Sequence, residues 1–242
     1  MNDNSKAHVN DVIKTMLERS SIRAYTDEKL TQEQISLLQN AALSAPTAMN
    51  AQDQRFVFVT NAEIIAELEA GVVEAACAGG DAAFAERIKQ RGGKIMYDAP
   101  LFVGIFAHPA KFSGVDAGIA VQNIALAAKS IGLDSVILGL PRLAFEGPNA
   151  AKYKKLLGIE AEREFMIGIS VGHAAMSKTR MSGIAVILLI SGKHVQAERE
   201  SFNIYPVLSC FIPAVRTMPK TANGAIKKFG GSFGRFTPKR KK

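Results

Sequence analysis

Tryptophan is absent from these 242 residues, cysteine occurs twice and histidine four times. Cys77 and Cys210 are too few and too far apart for a disulfide framework or a metal-ligand cluster, and Cys77 reads as a small apolar residue on a helix. No metal site is expected. No run is long and apolar enough to span a bilayer, and the polar start, Met1-Asn2-Asp3-Asn4-Ser5-Lys6, lacks the apolar stretch of a signal peptide. A cytoplasmic location is therefore the expectation. Glycine-rich phosphate cradles are missing too, with no G-x-G-x-x-G and no G-x-x-x-x-G-K-[ST]. That argues against a Rossmann dehydrogenase or a P-loop enzyme, and neither a G-x-S-x-G nucleophile elbow nor a C-x-x-C redox pair is expected.

What is present is apolar and unevenly charged. Hydrophobic residues make up 48% of the chain, enough for a substantial core in one or two domains. A net charge of +8 would ordinarily suggest a nucleic-acid or acidic partner, but the charge is segregated. Residues 180–242 carry 12 Lys/Arg against 2 Asp/Glu, and residues 1–179 carry 18 against 20. A mildly acidic body is followed by a strongly basic tail.

Within the body, Asn10 or Asp11 can cap a helix with Val12, Ile13, Met16 and Leu17 at helical spacing. Thr31 and Gln34 form a capping box for a second helix, ended by Pro46. Helices are also expected at Ala62 to Ala78, Phe84 to Gln90, Asp116 to Ser130 and Ala150 to Leu157, and strands at 56–59, 101–106, 135–138 and 165–171. The helix from Asp116 is apolar on nearly every side, so it needs burial on every side. In a body this small that points to a homodimer. The fold class is α+β, a three-layer α/β/α arrangement with a central, mostly antiparallel sheet flanked by helices.

Two short segments carry the chemistry. Arg19-Ser20-Ser21-Ile22-Arg23 gathers two guanidiniums and two hydroxyls just past the first helix. Guanidinium forks and hydroxyls suit a phosphate, although arginines at a helix C-terminus also favour its dipole without any ligand. Ala45-Pro46-Thr47-Ala48-Met49-Asn50-Ala51-Gln52 packs a proline, a hydroxyl and two carboxamides into an apolar neighbourhood. Carboxamides both donate and accept, as a planar heterocycle requires, although Pro, Thr and Asn are also ordinary loop residues.

R-x-S-x-R followed by A-P-[ST]-x-x-N-x-Q resembles the FMN-dependent nitroreductase family. Asp116 to Ala128 is similar to that family's central helix, Gly132 to Gly139 to the loop beside its flavin ring, and Leu157-Gly158-Ile159 and Ile169 to His173 to its closing helix and strand. The resemblance runs from about Val12 to Lys178. It implies an FMN-binding homodimer with the flavin at the interface. Arg19, Ser20, Ser21 and Arg23 would hold the phosphate and ribityl chain, with Lys178 in reach of the phosphate. Pro46, Thr47, Asn50 and Gln52 would bind from the partner subunit, and the backbone of Ile137, Leu138 and Gly139 would lie against the ring. It also implies hydride transfer from NAD(P)H through the flavin to a nitroaromatic, quinone or similar acceptor, with no catalytic side chain named. His173 and His108 are expected to be structural and turn residues.

Beyond Thr179 the family pattern stops. Thr179-Arg180-Met181-Ser182-Gly183 back-translates as ACC CGC ATG AGT GGN, and one added C gives ACC CCG CAT GAG TGG, or T-P-H-E-W, the family's usual continuation. In that frame the codons for Val186 through Lys193 permit N-I-A-Y-I-R and a stop. The expectation is a domain at 1–179 and an out-of-frame basic tail at 180–242, strand-like at Ile184 to Ile190 and without structure from about His194. The other readings are a genuine basic extension on a nucleic-acid-associated protein, or a flavin-binding remnant without activity.

Overall fold

In the computed structural model, the structure describes residues 10–178, 187–191 and 194–198. The chain divides into two compact units, Met1–Gly183 and Ile184–Lys242. In the first, four strands form one antiparallel sheet in the order β1-β2-β4-β3, with β1 at Arg55–Val59, β2 at Leu101–Ala107, β3 at Asp134–Leu138 and β4 at Glu164–Gly172. The flanking helices are α1 (Asp11–Glu18), α2 (Gln32–Leu43), α3 (Ala62–Ala78), α4 (Ala82–Gln90), α5 (Ser113–Ser130), α6 (Arg142–Glu146) and α7 (Ala150–Leu156).

Strand β2 explains the layering. All seven of its residues are buried, and successive side chains leave a strand on opposite faces. Leu101, Val103 and Ile105 join Leu38 and Ala42 of α2 and the inner face of α5 in one core. Phe102 and Phe106 join Leu68 and Val72 of α3, Phe145 of α6 and Tyr153 of α7 in the other. The three-layer α/β/α expectation holds, with every strand pair antiparallel. The second core is aromatic: Phe106 meets Phe145 and Phe165 edge-on, with centroids 5.0 and 5.5 Å apart. Room for these rings comes from the cross-strand pair Gly104 and Gly168, since a Cβ on Gly168 would lie 2.7 Å from the Phe102 ring.

The local chemistry sets the helix starts. Asn10 Oδ1 accepts from the Ile13 N–H at 3.1 Å, and the Thr31/Gln34 capping box closes with bonds of 2.8 and 3.2 Å. Helix α2 ends at Leu43, ahead of Pro46. Within one chain, helix α5 is covered on part of its surface, and the rest is the face that the homodimer expectation gives to a partner subunit. Its inner face is covered, but Val115, Gly118, Ile119 and Gln122 form an exposed stripe at helical spacing because sheet and α2 cover only part of its circumference. Cys77 is exposed near the end of α3; Cys210 lies outside the described residues.

The second unit holds an antiparallel hairpin, β5 (Ile187–Ser191) with β6 (His194–Glu198), paired from Ile187↔Glu198 to Ser191↔His194. Strand β6 falls at the start of the segment, from about His194 onward, for which no confident structure is expected. A β-branched run followed by the two residues Gly192 and Lys193 is a hairpin pattern, and pairing supplies the backbone partners that the side-chain pattern does not. The rest of that expectation lies outside the described residues. Among the described residues no helix is long and apolar enough to cross a membrane.

Gly168→Ala should destabilise the domain by about 1–3 kcal/mol, the usual cost of forcing an extra carbon into a packed core. Urea unfolding reads this directly, and an unchanged midpoint would show that Phe102 has free space to retreat into.

Candidate functional site

The arginine–serine segment leaves α1 at its C-cap, Arg19, and runs along the open edge of β3. Ser21 makes a parallel bridge to Ser135, and the Ile22 N–H donates to the Ser135 carbonyl at 3.1 Å. Ile22 is buried at 3% exposure, which fixes the segment, while Arg23 is exposed and Arg19, Ser20 and Ser21 are half-buried. Tyr25 locks the far end: it is buried, and its hydroxyl donates to the Ile22 carbonyl at 2.8 Å, with the Ser170 carbonyl at 3.3 Å a second acceptor for the same proton. Burial first, then the Asp134 charge, raises the Tyr25 phenol well above its ordinary value, so it remains a donor at any physiological pH. The Thr26 N–H donates to His173 and the Ala175 N–H to Ala24, both at 2.9 Å. Lys178 follows three residues later.

Backbone on β3 completes this cluster. Residues of an antiparallel strand aim their N–H and C=O alternately toward one neighbour and the other. The Ser135 carbonyl points outward to Ile22, so Ile137, two residues on, presents its N–H and C=O on the same edge. No strand lies beyond that edge among the described residues. Gly139 follows, exposed at the strand end. Neither Arg19 nor Arg23 has an ion-pair partner among the described residues, and no bond engages the Ser20 or Ser21 hydroxyl. Two uncommitted guanidiniums, two hydroxyls and an open backbone edge fit a phosphate attached to a planar hydrogen-bonding ring.

The carboxamide loop lies elsewhere. It connects α2 to β1 through a short 3-10 turn, Ala48–Asn50, and three of its non-glycine residues have left-handed φ: Met49 at 55°, Asn50 at 56° and Gln52 at 49°. Such conformations cost on the order of 1–3 kcal/mol each unless the surroundings fix them. Here Thr47 Oγ1 accepts from the Gln52 N–H at 3.1 Å and Gln52 Nε2 donates to Asn50 Oδ1 at 3.0 Å. Asp116, buried in the first turn of α5, accepts from the Ala48 N–H at 3.0 Å. Pro46, Met49, Asn50 and Gln52 are exposed.

The sheet register separates the two clusters. Ser21 sits beside Ser135, which pairs with Val171 at the end of β4, whereas the loop enters β1 at the end of the sheet where β4 begins. Eight residues of strand between positions 163 and 171 span ~27 Å. Within one chain, then, the structure does not bring Arg19 to Arg23 and Asn50 or Gln52 together.

A model described as the nitroreductase family matches residues 16–173. The chain belongs to that family. It is 32% identical to a nitroreductase with bound FMN from Desulfitobacterium hafniense, with a TM-score of 0.68 over 73% of this chain and 95% of that one. It is 29% identical to an FMN reductase [NAD(P)H] of Bacillus subtilis over 69% of this chain and 67% of the relative. It is 30% identical to an NADPH-flavin oxidoreductase of Vibrio harveyi over 68% and 66%. The chain thus spans about two thirds of the length of these two relatives.

Three groups escaped the sequence reading in this family member. Gly168-Ile169-Ser170-Val171-Gly172 spells G-x-S-x-G, but Ser170 is fully buried inside β4 and cannot serve as the exposed nucleophile of a strand–helix elbow. His108 is more than a turn residue: its backbone N–H donates to Asp53 Oδ2 at 2.8 Å and its Nδ1 lies 2.9 Å from Asp53 Oδ1. Arg163, buried at 3% exposure, donates to the Asp53 carbonyl and lies 3.2 Å from Asp53 Oδ1. Its Nε donates to Glu160 at 3.0 Å. Burial opposes ionisation of Asp53, but the hydrogen bonds from His108 and the Arg163 charge outweigh it and hold the carboxyl below its ordinary value.

Tyr25→Phe should leave the Ile22 carbonyl short of its donor at a cost of about 1–3 kcal/mol. Hydrogen exchange at residues 20–26 should accelerate more than in the sheet; uniform protection would show that Ile22 and the strand bridge alone hold the segment.

Proposed function

We propose that this chain is a cytoplasmic, FMN-dependent oxidoreductase that takes hydride from NAD(P)H and passes it to a nitroaromatic, quinone or similar acceptor. The observation that carries this reading is the pair of uncommitted arginines fixed beside the open edge of β3, in a fold shared with an FMN-bound relative. Arg19 and Arg23, with Ser20 and Ser21, hold the phosphate and ribityl chain, and Lys178 adds a third positive charge. The backbone of Ile137, Leu138 and Gly139 faces the ring. When bound, FMN supplies the two-electron chemistry, and the protein supplies position and exclusion of water.

The working form is a homodimer with one flavin per subunit at each interface. Two features support this. Pro46, Thr47, Asn50 and Gln52 belong to the loop that enters the sheet at the end opposite the arginines of their own chain, so they serve the flavin held by the other copy. Helix α1, eight residues long and without a buried residue, leaves Val12, Ile13, Met16 and Leu17 exposed, and α5 leaves its own stripe uncovered. A helix this short is marginal in water unless its apolar face is packed. Residues 180–242 are assigned to an out-of-frame basic tail outside the 1–179 domain, and a genomic read across the codons for Thr179 and Arg180 should contain one further C.

The double variant Arg19→Ala/Arg23→Ala should lose FMN. Two charge-assisted contacts are removed, each worth roughly 1.5–3 kcal/mol, so the dissociation constant measured by flavin fluorescence should rise by at least about a hundredfold. Full occupancy in that variant would sink the phosphate assignment. The parent protein with FMN should sediment as a dimer, and a monomer that retains the flavin would remove the shared-site geometry.

A further inference from the structure

The carboxamide loop is anchored at both ends by a carboxylate, and the downstream anchor is unlike anything the loop's own sequence suggests. Upstream, Asp116 receives the Ala48 N–H. Downstream, directly after Gln52, Asp53 is gripped by two residues that are 55 and 110 positions away in the chain. The antiparallel order β1-β2-β4 makes these three neighbours. Asp53 precedes β1, His108 follows β2 and Arg163 precedes β4, so all three project from one end of the sheet. Pairing there is irregular, with a register shift between Ile105 and Phe106.

The grip uses backbone and side chain together. Arg163 donates both to the Asp53 carbonyl and to its carboxylate, while the His108 N–H and ring occupy the two carboxylate oxygens. Position, φ/ψ and side-chain direction of residue 53 are fixed at once. Arg163 is a buried charge with partly exposed partners, and removing a partner of a buried charge is costly because the charge is left uncompensated. The residue it constrains adjoins Gln52, whose left-handed φ of 49° needs external enforcement.

We propose that Asp53 is a positioning residue, clamped by Arg163 and His108 so that Asn50 and Gln52 are presented in one fixed arrangement to the flavin held by the partner subunit. This rests on the flavin reading above. Asp53 does not touch the flavin; it acts through Gln52, and preorganising a recognition loop removes part of the ordering cost from binding.

The test compares the full-length parent with Asp53→Ala, and with His108→Ala as the milder variant in case the first folds poorly. FMN and riboflavin, which lacks the phosphate, are titrated against each protein, and hydrogen exchange is followed at residues 47–52 without flavin. Asp53→Ala should weaken FMN and riboflavin binding by the same factor, about tenfold, because the ring contacts are disturbed and the phosphate contacts are not. His108→Ala should do so by a smaller equal factor, and Asp53→Asn, which keeps one of the two acceptor oxygens, should recover only part of the loss. The flavin absorption band should shift in Asp53→Ala, and exchange at residues 48–52 should accelerate while the sheet stays protected. Arg19→Ala/Arg23→Ala, by contrast, should weaken FMN far more than riboflavin. Parent-like affinity for both flavins in Asp53→Ala overturns the positioning role even if the loop exchanges faster. A loss confined to FMN would place Asp53 in the phosphate site and overturn it as well. If the parent protein binds neither flavin, the flavin reading fails and takes this role with it.

Discussion

Everything in this domain hangs on β2, a strand buried along its whole length and sharing its side chains between two cores. Alternation sends Leu101, Val103 and Ile105 to the α2/α5 side and Phe102 and Phe106 to the α3/α6/α7 side. Each face removes large apolar groups from water, at roughly 1.5–3 kcal/mol per fully buried side chain. Gly104 and Gly168 matter for the same reason: by omitting side chains where the phenylalanine rings lie, they let the second layer close onto the sheet. With β2 central, β1 and β4 are held antiparallel beside it and β3 is left at the edge. An open strand edge is a hazard in most proteins. Here the arginine–serine segment occupies part of it and leaves the rest as backbone donors and acceptors.

The same sheet sets where the two clusters stand. Register places the arginine–serine segment at the β4 C-terminal end and the carboxamide loop at its N-terminal end. Helix α5, 18 residues long, spans between them, with Asp116 holding the loop near its start and α1 resting near its end. Charge follows this division. Arg19 and Arg23 have no ion-pair partner among the described residues, while at the other end Asp53, Arg163, His108 and Glu160 bond to one another in a tight network. Free cations suit ligand capture; paired ones suit fixing a loop.

Much of this was legible in the chain itself. The helix starts followed from Asn10 and from the Thr31/Gln34 box, because capping is chemistry between residues three apart. The strands followed from short β-branched and aromatic runs, and α5 from its long apolar pattern. The arginine–serine cluster followed from residue types within one turn of each other. Two features of organisation lay outside the sequence's reach for one cause. The uncovered stripe of α5 and the hairpin continuing through His194–Glu198 both depend on what packs beside a segment, and periodicity within the segment is silent about that.

By itself, then, the sequence determined the local elements, the α/β/α layering and the two clusters of phosphate- and amide-type chemistry, since each arises from residues close together in the chain. Tertiary structure alone decided that those clusters stand at opposite ends of the sheet, that Tyr25 ties the arginine segment to β4, and that Asp53, His108 and Arg163 meet. Their separations of 55 and 110 residues carry no periodic or motif signal. Only the antiparallel register of β1, β2 and β4 places a strand start, a strand end and another strand start within hydrogen-bonding distance.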